Sequence, residues 1–151
     1  MMNVASLTLC YPSDATPHAG VFIQERLRAL STAQQDTHVR IIHPLPTPLW
    51  KPRRTEPTTD RSDPPCWHVP MPYLPRIGKP FNPRAYARAV LPLLSSWARR
   101  REVDVIDAHF CWPDGVAAAM LARELHLPYT ITLRGILHRY APPGLTGGLT
   151  Y

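Results

Sequence analysis

The sequence lacks the features that would place it in a membrane or outside the cell. None of its apolar runs approaches the roughly 20 residues that an α-helix needs to span a bilayer. Residues 1–10 have neither the basic start nor the long apolar core of a secretory signal. The cysteines Cys10, Cys66 and Cys111 are widely spaced and form no Cys-x-x-Cys pair, which is typical of a reducing compartment. The sequence therefore predicts a cytoplasmic protein and leaves contact with a membrane surface open.

Patterns that bind metals and dinucleotides are also missing. Cys111 lies near His109, but no further ligand has the spacing of a structural zinc site. The segment 12–20 contains a single glycine, Gly20, and no Gly-x-Gly-x-x-Gly, the pattern of a dinucleotide-binding turn. We therefore predict neither a bound metal nor a cofactor.

The chain has little acidic charge relative to its basic charge. Its net charge is +6 and its pI is about 9.7, mainly because of arginine. A basic surface attracts nucleic acid, anionic lipid or phosphorylated small molecules, or simply improves solubility. No block of about five or six like charges and no aromatic–basic repeat occurs, so we predict no nucleic-acid partner.

Proline is the one residue type in clear excess. Twelve of the 19 prolines lie between Pro44 and Pro83. Because proline has no backbone N–H, we predict that residues 44–81 form a long, irregular and mobile loop rather than a central strand, with at most a short strand at 67–69. Asn82 followed by Pro83 then predicts the start of a helix.

Outside this region, strand-like and helix-like patterns alternate. The predicted strands are 4–10, 39–43, 103–108 and 129–133, and the predicted helices begin at Val21, at Asn82 and at Pro113, the last ending at His126. Strands that alternate with helices pair in parallel through right-handed crossovers. We predict an α/β fold, an open Rossmann-like parallel sheet with helices on both faces, over residues 1–140. An irregular tail follows over 141–151.

His109 and Asp114 are candidate site residues at the end of the third predicted strand, where open α/β folds bind ligands. The imidazole of His109 can hydrogen-bond a ligand hydroxyl or transfer a proton near neutral pH. The ring can instead pack beneath the loop 110–112, and spacing alone favours that packing. Asp114 at a helix start is sufficiently explained by the helix dipole. Gly115 permits the close approach of a ligand or of another element.

Two further turns belong to the same predicted edge. The loop 12–20, which ends at Gly20, is either a phosphate- or sugar-binding turn at a helix N-terminus or a plain connection. Arg134 and Gly135 end the fourth predicted strand. The planar guanidinium of Arg134 suits phosphate or carboxylate, and Gly135 suits a turn with positive φ. A surface arginine on a turn is the simpler alternative, but the position at a strand end favours ligand contact.

Three motifs in order resemble the N-terminal domain of a family-four glycosyltransferase of the GT-B type. Residues 17–30, PHAGVFIQERLRAL, are similar to the family's opening motif, P-x-x-G-x-F-v-x-e-q. The stronger part of the resemblance lies in residues 104–118, DVIDAHFCWPDGVAA, and in residues 127–135, LPYTITLRG. Together the motifs relate most of residues 2–140 to that domain.

The resemblance implies a retaining transferase with two Rossmann-like domains facing each other across a cleft. In that family the N-terminal domain holds a glycan or lipid-linked acceptor. The C-terminal domain holds the nucleotide-sugar donor, often through a Glu-x7-Glu motif. This chain matches only the first domain, so we expect an acceptor-binding half that is truncated or completed by another chain and is inactive alone. The alternative is a stand-alone, non-catalytic ligand-binding module.

The resemblance also implies roles for individual residues. Gly20 falls on the family's glycine-containing loop near the donor phosphates. His109 falls on the second His of an H-A-H turn whose first His is replaced here by Asp107. Arg134 falls where many relatives have the His of T-x-H-G, which contacts the donor sugar. We therefore predict His109 and Arg134 as catalytic residues, and Gly20, Asp114 and Gly135 as substrate-binding residues.

Overall fold

The computed structural model describes residues 1–49, 57–60, 62–73 and 82–133. The elements in these residues are β1 (Met2–Leu7), α1 (Val21–Ala33), β2 (Thr37–Pro48), β3 (Thr58–Asp60), β4 (Cys66–Tyr73), α2 (Asn82–Arg99), β5 (Val105–His109), α3 (Val116–Leu125) and β6 (Tyr129–Thr132). A π-helical turn, Cys111–Gly115, joins β5 to α3. The predicted tail 141–151 lies outside the described residues.

The strands form one six-stranded sheet in the order β3-β4-β2-β1-β5-β6. All neighbouring strands run parallel except β3, which pairs antiparallel with β4 at the sheet edge. Parallel neighbours need a crossover, and α1, α2 and α3 supply those from β1 to β2, from β4 to β5 and from β5 to β6. The connection from β2 to β4 passes instead through β3. The predicted α/β class with an open Rossmann-like sheet is confirmed. The antiparallel strand β3 is an addition that the sequence did not predict.

Helices cover both faces of the sheet, as predicted. On one face α1 buries Ile23 and Leu27 against Val4, Val39 and Ile41. On the other face, α2 and α3 pack against the sheet; the buried residues of this larger core include Leu7, Ile42, Val69, Tyr86, Val90, Leu94, Trp97, Ile106, Ala117 and Leu121. Successive residues of a strand point to opposite faces, so each inner strand serves both cores.

The prediction of an irregular segment at 44–81 is wrong for much of its length. β2 continues through Pro44 and Pro46 to Pro48, and β4 contains Pro70 and Pro72. The predicted short strand at 67–69 is confirmed as part of β4. The remaining stretches of this segment, 50–56, 61 and 74–81, lie outside the described residues.

These prolines fit into the sheet because their spacing places each missing N–H on a side without a paired strand. The N–H of Ile41 donates to the Pro65 carbonyl, so the odd-numbered residues of β2 face β4. The N–H of Thr8 donates to the Ile42 carbonyl, so the even-numbered residues face β1, which ends at Leu7. Prolines 44, 46 and 48 are therefore all on the side where β1 has ended. By the same alternation, Pro70 and Pro72 face away from β2 and lie beyond the pairing with β3, so no ladder bond is lost.

Two predicted boundaries also shift. β1 ends at Leu7 rather than at residue 10, because the Cys10 N–H donates to Thr8 Oγ1 at 3.1 Å and the chain turns away from the sheet. The helix predicted from Pro113 begins as a π-turn, in which the Gly115 N–H donates to the Phe110 carbonyl at 3.0 Å. Trp112 has the extended values φ −131° and ψ 135°, which widens this first turn. α2, in contrast, begins at Asn82 as predicted and contains Pro92.

Candidate functional site

The parallel strands β1, β2, β4, β5 and β6 all end at one edge of the sheet, which we call the carboxyl edge. Ligands of open α/β folds bind outside the carboxyl ends of their strands. Gly20, His109 and Asp114 all lie in or beside the segments that follow these ends. Arg134 and Gly135 lie outside the described residues, so their predicted roles stay predictions.

Gly20 holds the loop 12–20 against the end of β1. Its φ is +66°, in the left-handed region that favours glycine. A Cβ at this position would overlap the Cys10 carbonyl and lie 2.9 Å from the Tyr11 nitrogen. The Gly20 carbonyl accepts the Ile23 N–H at 2.9 Å and so starts α1. The conformation and the packing both require glycine here, independently of any ligand.

His109 is the last residue of β5 and is fully buried. Its Nε2 lies 2.9 Å from Ser6 Oγ on β1 and 3.3 Å from Asp107 Oδ2. The Thr130 hydroxyl donates to the other oxygen of Asp107 at 2.8 Å, which fixes that carboxylate. An ionised carboxylate accepts but does not donate, so the contact with Asp107 favours a proton on Nε2. The ring is thus oriented inside the sheet, and its catalytic role stays a prediction.

Asp114 connects three segments of the carboxyl edge. The side chain is 1% exposed. Its Oδ1 accepts the Leu9 N–H, after β1, at 2.7 Å and the Tyr86 hydroxyl, on α2, at 3.4 Å. Burial raises the pKa of Asp114 to about 7, although the hydrogen bond from Leu9 opposes this shift. This geometry gives Asp114 a structural function, and its predicted contact with substrate stays a prediction.

Two other residues define the β6 side of this edge. A Cβ on Gly115 would lie 2.9 Å from Ile131 Cδ1, so this glycine permits the close approach of β6. Arg26 of α1 donates from Nη1 to Thr132 Oγ1 at 2.7 Å. Arg26 is exposed and places a cation at the end of β6, a position that the helical pattern of α1 did not reveal.

A cleft of about 650 Å³ opens at the carboxyl edge on the side of β2, β3 and β4. Its walls are the loop after β1, the extended end of β2, the edge strand β3 and one residue of β4. The polar lining consists of Ser13, Asp14, Thr58, Thr59, Asp60 and His68, and the apolar lining of Pro12, Ala15, Pro17 and Leu45. Among the described residues, those that line the cleft do not include Gly20, His109 or Asp114.

A pair of histidines lies at the side of this cleft. His43 on β2 is 3% exposed, and its Nδ1 lies 3.1 Å from Nδ1 of His68, which lines the cleft. Burial, helped by the charge of His68, lowers the pKa of His43 to about 4, so this ring is neutral at physiological pH. The ring of Tyr11 packs edge-on against His43 with centroids 6.0 Å apart.

Sequence reasoning missed this cleft because it ended the strand of His43 at that residue and placed His68 in at most a short strand within a long loop, without pairing the two. Their contact depends on the register His43↔His68 between two strands that the prolines concealed. The available signal was the alternation of prolines with other residues in 43–48 and 69–73, which has the period of a strand.

No helix within the described ranges is long and apolar enough to cross a membrane. The same part of the chain holds no group of three or more His, Cys, Asp or Glu side chains arranged to bind a metal ion.

The chain is 30% identical to a protein of Bacillus subtilis (strain 168) named "Putative teichuronic acid biosynthesis glycosyltransferase TuaC". The aligned region of 150 positions covers 89% of this chain. This similarity relates the chain to a glycosyltransferase. The chain spans only 36% of the length of that relative. No family model matches the chain.

Proposed function

We propose that the chain is the N-terminal, acceptor-binding half of a retaining GT-B glycosyltransferase. The complete enzyme transfers a sugar from a nucleotide sugar to a glycan or a lipid-linked acceptor. The observation that carries this proposal is the similarity to a glycosyltransferase over 89% of the chain. It agrees with a Rossmann-like sheet whose carboxyl edge holds an open, polar cleft.

The geometry supports an acceptor-side role in particular. The cleft is open to solvent, and its hydroxyl, carboxylate and imidazole groups are the partners that sugar hydroxyls use in hydrogen bonding. We further propose that Gly20 and Arg134 face the donor phosphates or sugar held by the second half. In this proposal His109, oriented by Asp107, holds a hydroxyl of the acceptor or of the transferred sugar in the complete enzyme.

A fusion protein tests the proposed function. It joins this chain to the part of the Bacillus relative that lies outside the aligned region. The fusion protein is incubated with UDP- and GDP-sugars and a panel of glycan and lipid-linked acceptors, and products are followed by mass spectrometry. We expect transfer with retention of the anomeric configuration, which NMR of the product detects. Arg134→Ala in the fusion should lower turnover with the fold unchanged. Arg134→Lys should recover only part of the loss, because an ammonium lacks the planar guanidinium fork.

Three results contradict the proposal. Inversion of the anomeric configuration contradicts the retaining mechanism. Unchanged kinetics in both Arg134 variants contradict the role given to that residue. A folded fusion protein that binds sugars at the cleft but never transfers them favours a non-catalytic binding module.

A further inference from the structure

Within the residues that the structure describes, the lining of the cleft at the carboxyl edge has the opposite charge to the protein as a whole. The chain carries a net charge of +6, yet Asp14 and Asp60 are the charged carboxylates in the cleft lining, and no Lys or Arg is among the lining residues that the structure describes. Both carboxylates are exposed. Neither forms an ion pair within the described ranges, so no cation there neutralises them.

This charge distribution determines which chemical groups of a ligand can bind in the cleft. Like charges at contact distance repel each other, and the repulsion is stronger in a cleft that partly excludes water than in bulk water. A ligand carboxylate or phosphate in the cleft would therefore be repelled by Asp14 and Asp60. A sugar hydroxyl or an ammonium group would instead donate hydrogen bonds to the same oxygens.

The histidine pair adds an acceptor with a defined tautomer. His43 is neutral at physiological pH and interacts with the Leu9 backbone carbonyl in a way that favours a ring N–H. Because His43 Nδ1 faces His68, that N–H belongs to Nε2, and Nδ1 is left as an acceptor. His68 then donates from its own Nδ1. In its neutral form, His68 therefore has a lone pair on Nε2.

Resting on the proposed function, we propose that the cleft selects an acceptor sugar unit without negative charge. Asp14 and Asp60 accept hydrogen bonds from its hydroxyl or amino groups and exclude a carboxylate or phosphate. His68 Nε2 accepts a hydrogen bond from one sugar hydroxyl, and His43 holds the ring in the required tautomer. The selection applies to the sugar unit that occupies the cleft and leaves the rest of the acceptor free to carry charge.

NMR titration of the 151-residue chain with matched sugars tests this selection. The probes are the methyl glycosides of glucose, galactose and mannose, each with its uronic-acid and its 2-amino-2-deoxy counterpart. In at least one series we expect the neutral sugar to shift the amide signals of the cleft. The matching uronate should bind at least about tenfold more weakly. The amino sugar should bind at least as tightly as the neutral sugar.

Variants separate the contributions of the individual groups. The double change Asp14→Asn and Asp60→Asn should remove most of the discrimination against the uronate. Asp36→Asn is the matched control, because Asp36 lies in the turn between α1 and β2 at the opposite edge of the sheet. His68→Phe should weaken binding of the neutral sugar, whereas His68→Gln, which retains an acceptor oxygen, should recover part of it. The amide spectrum of each variant verifies its fold.

Each adverse outcome has a distinct meaning. If the uronate binds as tightly as the neutral sugar, or if the double variant keeps the discrimination, the charge selection is wrong while the acceptor role of the cleft stands. If no sugar of any series perturbs the cleft, both the selection and the acceptor role of the cleft are wrong. Equal binding by His68→Phe and the unchanged chain contradicts the role of His68.

Discussion

At the residue scale, the side chains predicted to bind ligand also hold the carboxyl edge together. Gly20 packs on the Cys10–Tyr11 backbone, His109 bonds Ser6 and Asp107, and Asp114 bonds Leu9. The contact of His109 with Ser6 joins β5 to β1, and that of Asp114 with Leu9 joins the turn after β5 to the segment after β1. Substitutions at these positions therefore change stability, and any effect on ligand binding has to be separated from that change.

Gly20→Ala should destabilise the protein strongly. The new Cβ would overlap the Cys10 carbonyl, and the residue would have to keep a φ of +66°. Left-handed strain and overpacking each cost roughly 1–3 kcal/mol, so we expect a loss of about 2–6 kcal/mol in the free energy of unfolding. Urea denaturation followed by circular dichroism measures it.

Gly115→Ala is the matched control for Gly20→Ala. Its φ is −65°, and the atoms nearest to a new Cβ are Ile131 Cδ1 at 2.9 Å, at the end of a side chain, and the Phe110 carbonyl oxygen at 3.0 Å, neither as close as the Cys10 carbonyl is to a Cβ at Gly20. We expect a smaller loss, of about 1 kcal/mol. Equal losses in the two variants would show that the left-handed conformation and the backbone contact at Gly20 add nothing to the loss in the free energy of unfolding.

Asp114 should make the protein less stable as the pH rises from about 4 to about 7. Its pKa in the folded state, about 7, lies above the ordinary value of 3.8. The folded protein therefore keeps a proton that the unfolded chain releases in this range, and the stabilisation present below pH 4 or so is lost as the pH rises through the folded pKa. The slope from this one group reaches at most about 1.4 kcal/mol per pH unit.

Asp114→Asn isolates this contribution. The amide oxygen can still accept the Leu9 N–H, but it does not titrate. The difference in unfolding free energy between the variant and the unchanged chain should therefore move in favour of the variant as the pH rises. Asp36→Asn, which alters an exposed acid, should show no such trend. Parallel pH profiles for Asp114→Asn and the unchanged chain would contradict the raised pKa.

At the element scale, the proline-rich strands form because every proline occupies a position that needs no N–H. β2 and β4 pair through the odd-numbered residues of both strands, and the prolines within their paired segments are even-numbered. The pairing also builds the cleft, because it places His68 beside His43 and Leu45 opposite Pro70. The strand extension is thus both a structural element and one wall of the candidate site.

Two separate variants test this explanation: one adds a proline at an odd-numbered position of β2, and the other removes a proline from an even-numbered position. Thr47→Pro removes an N–H that faces β4 and should cost about 3 kcal/mol of unfolding free energy. Pro46→Ala restores an N–H on the side that β1 has left, so its cost should stay within about 1 kcal/mol. Thermal denaturation of both variants makes the comparison. Similar destabilisation by the two changes would indicate that the orientation of the N–H groups is not what accommodates the prolines.

At the scale of the whole molecule, the proposed function assigns donor and acceptor to different halves of a longer enzyme. The chain spans 36% of its Bacillus relative, and the described residues form a single sheet with one polar cleft at its carboxyl edge. Much of the rate of a two-substrate transfer comes from holding both reactants in position. A chain that holds only the acceptor lacks that contribution.

We therefore expect residues 1–151 alone to show weak or no transfer and to bind UDP- or GDP-sugars poorly. Isothermal titration calorimetry with both donors tests the binding, and the fusion with the remainder of the relative is the positive control. Tight, saturable binding of a nucleotide sugar to this chain alone would contradict its assignment as the acceptor half.

The sequence by itself determined the elements whose signals are local. Hydrophobic periodicity and turn residues located β5, β6, α1 and α2, and their alternation established a parallel α/β sheet. The order of the motifs also indicated the relationship to a glycosyltransferase, which the similarity to the Bacillus protein supports.

Only the tertiary structure decided the extent of β2 and β4 and the composition of the cleft. Whether a proline fits a strand depends on which neighbour its missing N–H faces, and that neighbour is set by pairing between distant segments. The contact between His43 and His68, 25 residues apart, follows from the same register. The burial that raises the pKa of Asp114 likewise exists only in the folded chain, and its hydrogen-bond partners Leu9 and Tyr86, which oppose that rise, are far from it in sequence. Long-range register and burial are properties of the folded chain, and no local pattern encodes them.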